Sequence, residues 1–281
     1  MRYNVTMEFN GVIPGRGKGK LTLRITSSEP YSAEFTATQI GVLADIAEEY
    51  GSGQVHVTPR QTVEIPHVDE THLGDITSTL TLNDLALGSA GSYLRNVTAC
   101  SRWCLYNAFP LSDTAQRLNA KYIELQLPGK TNISLSGCDF SCVRSRTSDI
   151  GVIARADIEL TDKKCKQCKL CVKEPLGCQV DAITLTEDGV TIDQQKCVRC
   201  GFCSNVCKPD TIIMKASGFD VFVGGNGGVK SREAKLYRSV NAEDELMDLI
   251  DEILTRYPMS ALEGERIGDV IERVGFKGIG G

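Results

Sequence analysis

The sequence predicts an α+β fold interrupted by a cysteine-rich insertion, and three observations point to it. The first hundred residues alternate between strand and helix patterns. Helical patterns return near the C-terminus. Between them, eight of the twelve cysteines crowd into residues 165–207. Strands and helices segregated in this way, with a separate patternless island, fit a sheet-and-helix body carrying an insertion.

The elements follow in order. Gly15–Lys20 is glycine-rich and basic but lacks the spacing of a phosphate-binding loop, so it reads as a solvated loop. Leu21, Leu23 and Ile25 alternate with Thr22, Arg24 and Thr26, the signature of a half-buried strand. Thr36 and Gln39 have capping-box spacing, and Ile40, Leu43, Ile46 and Tyr50 mark a helical stripe ending at Gly51. Val55/Val57 and Val63/Ile65 give short strands on either side of the turn-forming Thr58-Pro59-Arg60. Residues 161–216 hold eight cysteines and little apolar periodicity. Leu246, Leu249, Ile250, Ile253, Leu254 and Tyr257 then form a strong amphipathic stripe behind the candidate cap Asn241, and Ile267, Val270, Ile271 and Val274 a shorter one.

Composition sets bounds. A chain of 281 residues can bury a sizeable core, as one principal domain plus something smaller. Its 41% hydrophobic and 24% charged residues are ordinary for a globular protein, and a net charge of −5 argues against bulk nucleic-acid binding. The N-terminal MRYNVTMEFNGVIPG lacks a signal-peptide core, and no apolar run approaches the ~18 residues of a membrane span. The expected setting is the cytoplasm, with no membrane partner. His56, His67 and His72 have no partner pattern and read as structural.

The cysteines carry the chemistry. Four fall into the pairs Cys100/Cys104 and Cys138/Cys142. The other eight are Cys165, Cys168, Cys171 and Cys178, then Cys197, Cys200, Cys203 and Cys207. Twelve cysteines make three sites of four with none left over, and tight CxxCxxC loops suit iron–sulfur cubanes better than a tetrahedral zinc site. The island resembles bacterial two-cluster ferredoxins. That resemblance implies that Cys207 completes the first cluster and Cys178 the second. Two features depart from the ferredoxin pattern. Six residues separate Cys171 from Cys178 rather than three, and Gln179 and Lys208 replace the expected prolines.

The rest of the chain resembles the sirohaem sulfite and nitrite reductases. The resemblance rests on Arg95-Asn96-Val97 before Cys100, Ser136-Gly137-Cys138 with Cys142, Asp149-Ile150-Gly151, and Gly218-Phe219-Asp220-Val221-Phe222-Val223-Gly224-Gly225. Thr58-Pro59-Arg60-Gln61 and Gly264-Glu265-Arg266-Ile267-Gly268-Asp269 extend it over nearly the full length. It is closest to the small single-repeat members and to anaerobic subunits with an inserted ferredoxin. It implies a ferredoxin-like half-repeat over 1–99, a sirohaem and 4Fe-4S domain over 100–160 and 217–281, and an inserted two-cluster ferredoxin domain over 161–216.

The implied activity is six-electron reduction of sulfite to sulfide. Nitrite is the alternative substrate, and a non-catalytic iron–sulfur electron-transfer or assembly protein is the alternative of another class. The implied cofactors are sirohaem and three 4Fe-4S clusters. Arg24, Arg95 and Lys130 would face the oxyanion. Arg60, Gln61 and Asn96 would hold sirohaem, with Cys142 as the thiolate shared between cluster and haem. The implied partners are a redox donor protein or reduced ferredoxin, and a second copy in a homo-oligomer built on a two-fold dimer.

Three departures from the reductase pattern bear on the site. Cys100 and Cys104 are separated by three residues rather than five, which removes up to about 7 Å of chain; an i, i+4 pair on a helical turn would still face one way. Asn132 stands where a second substrate lysine is expected, and Asp139 where proline is common.

Overall fold

The computed structural model describes residues 11–28, 34–123 and 125–281. In chain order its strands and helices begin with β1 (Val12–Pro14), β2 (Lys20–Ser27), α1 (Ala37–Tyr50), β3 (His56–Val57), β4 (Val63–Asp69), α2 (Leu73–Leu82) and β5 (Leu85–Leu87). There follow β6 (Thr98–Ala99), α3 (Ser112–Tyr122), β7 (Ile133–Ser136), β8 (Ile150–Leu160), β9 (Ile183–Thr186) and β10 (Gly189–Ile192). The last are α4 (Phe202–Val206), β11 (Ile212–Val223), β12 (Lys235–Val240), α5 (Glu243–Ser260) and α6 (Ile267–Val274). Two compact units emerge. One holds the chain up to Thr98 with Asp113–Ile133 and Leu254–Gly281; the other holds Ala99–Ser112 and Ser134–Ile253.

In the first unit β2 is the hub of an antiparallel sheet. It pairs with β4 along one edge, and with β1 and β5 in succession along the other. The alternation seen in the sequence is realised: Leu21, Leu23 and Ile25 are buried while the side chains between them are half-exposed. They pack with Leu43, Ile46 and Ala47 of α1 and Ile76 and Leu80 of α2, each fully buried Leu or Ile contributing about 1.5–3 kcal/mol.

The capping box forms as expected. Thr36 Oγ1 accepts from the Gln39 N–H at 3.1 Å, and Gln39 Oε1 accepts from the Thr36 N–H at 2.9 Å. The expected stripe shifts at one position, where Ile40 is 51% exposed and Gln39 is buried in its place. The Gln39 amide donates to the carbonyls of Asn83 and Asp84, so polar satisfaction decides which side chain turns inward. The glycine-rich segment closes the β1–β2 hairpin as a loop, with Gly17 and Gly19 at positive φ.

The second unit is built on a five-stranded sheet of order β12-β11-β8-β7-β6. Strands β8 and β11 pair antiparallel over their whole length, from Ile150 opposite Val223 to Leu160 opposite Ile212. Residues 161–211 leave and return at the adjacent ends of these strands, and a Thr161 N–H to Thr211 carbonyl bond of 2.9 Å closes the neck. This excursion has its own small core, in which Ile183, Ile212, Leu185, Val190 and Ile192 pack among the cysteines.

Every residue of the predicted C-terminal stripe, from Leu246 to Tyr257, is buried in α5. The cap differs from expectation. Glu245 Oε2 accepts from the N–H groups of Asn241 and Ala242, while Asn241 Oδ1 accepts from Arg155. No described helix is long and apolar enough to cross a membrane.

Candidate functional site

The sheet of the second unit sets the first cysteine group. Cys100 follows β6 directly and Cys138 lies just past β7, and these strands are neighbours. The Cys100 N–H donates to the Leu135 carbonyl at 3.0 Å, and the Gly137 N–H points at Cys100 Sγ at 3.4 Å. Gly137 is obligatory here, because a Cβ would lie 1.9 Å from Asn107 Oδ1. Asn107 in turn donates to the Ser101 carbonyl at 2.9 Å and holds the Cys100–Cys104 loop.

That loop is a tight turn closed by Cys104 N–H to Ser101 carbonyl, not the helical turn the spacing suggested. Cys138 is buried, while Cys104 and Cys142 are exposed. Beside them Trp103, Leu105 and Phe140 are exposed too, Trp103 by 80%.

The other eight cysteines gather around two cavities. One is lined by Cys165, Cys168, Cys171 and Cys207 with Leu185, Val190 and Ile212. The other is lined by Cys178, Cys197, Cys200 and Cys203 with Tyr106, Phe140, Ile183 and Phe202. The two halves repeat each other in detail. Gln167 N–H points at Cys165 Sγ and Arg199 N–H at Cys197 Sγ, both at 3.4 Å. Likewise Ala182 N–H points at Cys178 Sγ and Ile212 N–H at Cys207 Sγ, at 3.4 and 3.3 Å. N–H groups aimed at sulfur stabilise thiolate charge and tune cluster potentials. The long Cys171–Cys178 loop folds on itself: Gln179, in the expected proline position, binds the carbonyls of Pro175 and Gly177.

Burial first, with the charges of neighbouring thiols behind it, pushes the thiols of Cys138 and Cys203 up to about 12 and that of Cys171 to about 11. Burial likewise raises Cys100 and Cys200. Metal loading therefore has to displace protons from these sulfurs. All twelve cysteines are unbridged. Among the described residues no three His, Cys, Asp or Glu side chains are set for a single metal ion.

A second feature lies in the first unit. Arg95 is 9% exposed and donates to the carbonyls of Ser89 at 3.0 Å and Gly91 at 2.8 Å, while its Nε has no partner. Burial first, and then the nearby charges of Arg60, Arg24 and Arg266, together lower its pKa to about 10. Arg24 shares the Ser89 carbonyl at 2.9 Å but also holds Glu64 Oε1 with Nε and Nη2, at 3.1 and 2.6 Å. Its charge is thus largely matched.

The turn after β3 places Arg60 and Gln61, the latter at positive φ, and Asn96 donates to the Arg60 carbonyl at 2.9 Å. Lys130 and Asn132 flank the buried Thr131, whose carbonyl accepts the Arg95 N–H at 3.0 Å. Arg266 was not legible as a site residue. Its segment packs on the lysine loop: Gly264 N–H donates to the Pro128 carbonyl, and a Cβ on Gly129 would lie 2.3 Å from the Glu265 carbonyl.

Thiols gathered in this way are ligand chemistry suited to iron–sulfur clusters, and a buried arginine near other arginines is chemistry suited to an anion. The chain belongs to the nitrite and sulphite reductase family. The model of the nitrite and sulphite reductase 4Fe-4S domain matches residues 90–279, and that of the nitrite/sulfite reductase ferredoxin-like half domain matches residues 15–82. An uncharacterized protein of Methanocaldococcus jannaschii is 28% identical over 280 residues, covering 99% of this chain and 95% of that protein. The coenzyme F420-dependent sulfite reductase of the same organism is 28% identical over 275 residues, which is 96% of this chain but 43% of that enzyme. Among solved structures, dissimilatory sulfite reductase I matches with a TM-score of 0.73 over 92% of this chain and 68% of that one, at 22% identity, a likeness of fold.

Proposed function

We propose that this chain is a sirohaem-dependent reductase that takes sulfite to sulfide with six electrons, carrying three 4Fe-4S clusters. The observation that carries the reading is the sorting of all twelve thiols into three groups of four. Residues 161–211, entering and leaving at one neck, would be the inserted two-cluster ferredoxin through which electrons arrive. Cys100, Cys104, Cys138 and Cys142 would hold the third cluster, with Cys142 as the shared thiolate. Sirohaem, when bound, supplies the iron at which the oxyanion is reduced.

The residues present fit such a group. Trp103, Leu105 and Phe140, near Cys104 and Cys142 in the sequence, are exposed apolar side chains that such a macrocycle would cover. Arg60, with Gln61 and Asn96, suits the carboxylates of a polyanionic macrocycle. Arg95 and Lys130 would bind the substrate oxygens through charge-assisted hydrogen bonds, and the Lys130 ammonium would give one of the two protons each oxygen takes to leave as water, the other coming from solvent. The proposed partners are a reduced carrier protein in the cytoplasm and a second copy in a two-fold dimer.

The Arg24–Glu64 pair and Asn132 both subtract from the cation set, and this favours nitrite, or loss of catalysis, as the competing reading. Turnover with a reduced dye, comparing sulfite with nitrite, tests the proposal; cluster-replete protein that reduces neither would leave the non-catalytic reading. Asn132→Lys probes the missing charge. Sulfite is largely dianionic near neutral pH and nitrite carries one charge. A restored charge-assisted contact is worth roughly 1.5–3 kcal/mol, or about one to two decades in binding. The sulfite-to-nitrite ratio of kcat/KM should therefore rise, and an unchanged ratio in folded, loaded protein refutes the charge argument.

A further inference from the structure

We infer that the Cys178/Cys197/Cys200/Cys203 group passes electrons directly to the Cys100/Cys104/Cys138/Cys142 group, and that Asp139 and Arg199 are positioning residues bridging the two. This rests on the reading that both groups hold clusters. Asp139 follows Cys138, and Arg199 lies between Cys197 and Cys200. The Asp139 N–H donates to the Val198 carbonyl at 3.1 Å, and Arg199 Nε and Nη2 each reach Asp139 Oδ2 at 3.0 Å. Cys138 and Cys200 are close enough for the charge of one to act on the other.

The cavity of the Cys178 group is lined by Tyr106 and Phe140, one from each of the two loops that carry the remaining four cysteines. The cavity of the Cys165 group has no lining residue from either loop. One group is therefore proximal and the other distal. The bridge is anchored to the sheet: Arg199 Nη2 holds Asp220 at 2.7 Å, and Asp220 also binds Arg155 at 2.8 Å and Ser239 at 2.7 Å. Proline at 139 would remove both the N–H and the carboxylate, so the departure from the family pattern creates the contact. With clusters held by both groups, one electron would leave the proximal one, oxidising it and reducing its neighbour, with no bond or proton moved.

Electron paramagnetic resonance of dithionite-reduced protein tests the order. Spin–spin broadening of the Cys100/Cys104/Cys138/Cys142 cluster should vanish in Cys200→Ala and persist in Cys168→Ala; the reverse pattern, or broadening in both, overturns the order. Absence of cluster signals in the unaltered protein overturns the underlying reading as well. Asp139→Asn keeps the N–H bond and loses the charge, so in iron-replete protein the neighbouring cluster's potential should shift upward. Arg199→Gln should slow internal transfer severalfold, and Arg199→Lys should restore part of it. Unchanged potentials and transfer rates in these loaded variants would overturn the bridge.

For the distal group the structure assigns a docking face for an acidic one-electron carrier protein. Cys168 is exposed, and so are Lys164, Lys166, Lys169 and Lys173 on either side of it in the sequence, with Lys166 and Lys169 lining the same cavity, on a chain whose net charge is −5. Leu170 and Leu176 supply exposed apolar contacts. Such a face raises encounter rates with an opposite charge by about 10- to 1,000-fold, falling with salt. Reduction by an acidic two-cluster ferredoxin should therefore slow with ionic strength. In the triple variant Lys164→Glu, Lys166→Glu, Lys169→Glu it should slow at least about tenfold and lose the salt dependence, while dithionite reaches the same endpoint. Carrier reduction indifferent to both salt and the substitutions would overturn the assignment.

Discussion

Gly137→Ala is expected to strip the Cys100/Cys104/Cys138/Cys142 group of its four irons while leaving the eight of the island in place. The added methyl would stand 1.9 Å from Asn107 Oδ1, 2.6 Å from its Cγ and 3.1 Å from its Cβ. No rotation about the end of that side chain clears all three. Asn107 must leave its buried position, and the bond from its amide to the Ser101 carbonyl goes with it. Overpacking of this kind costs about 1–3 kcal/mol, and the hydrogen bond adds about 0.5–1.5 kcal/mol. Against a total stability of roughly 5–15 kcal/mol this is a large local loss, concentrated on the loop that carries two of the ligands. Iron analysis of anaerobically purified variant reads it. The double variant with Asn107→Ala, which removes the clash, should be less destabilised than the two single changes summed. Full iron content in Gly137→Ala would contradict the packing argument.

Arg95→Gln is expected to abolish the stabilisation of the protein by oxyanions. A base whose folded pKa is depressed carries a penalty at every pH below that value. For Arg95 the penalty is present below about 10 and is relieved as pH rises from about 10 toward 12.5. Its size is on the order of 3 kcal/mol, which a bound anion would offset at neutral pH. Glutamine removes that penalty but gives up charge-assisted bonds to Ser89 and Gly91, each worth roughly 1.5–3 kcal/mol. Together those two bonds are worth roughly 3–6 kcal/mol, so the variant without ligand is expected to be no more stable than the parent, and the response to ligand is diagnostic. Sulfite at a hundredfold excess over its Kd should add about 2.7 kcal/mol to the parent protein, a Tm rise of roughly 5–11 °C. The variant should show little. An equal rise in both proteins would place the anion elsewhere.

Periodicity made the skeleton legible. Leu21, Leu23 and Ile25 alternate in the sequence and in burial, and the stripe from Leu246 to Tyr257 is buried throughout, because apolar periodicity and burial are two views of one requirement. The CxxCxxC loops of the sequence line the two cavities that gather the eight cysteines from Cys165 to Cys207. What the sequence did not show depends on contacts between distant segments. Arg24 looked like a candidate cation, yet Glu64 on the paired strand takes up its charge, a partner that only strand register reveals. Arg266 sat in a recognised segment without a role until the packing of Gly264 on Pro128 brought that segment to the lysine loop and its charge near Arg95. Asp139 drew notice as an oddity, and its meaning depends on Arg199, sixty residues further along. Ile40 and Gln39 exchanged places because two backbone carbonyls needed donors, a demand periodicity does not register.

Iron and acid-labile sulfide, measured together with the tetrapyrrole absorption of anaerobically purified protein, test the central claim most directly. Three clusters and one sirohaem give about twelve cluster irons per chain plus one more, with matching sulfide and haem bands. About eight irons without a tetrapyrrole spectrum would contradict the account, leaving an electron carrier on a reductase fold.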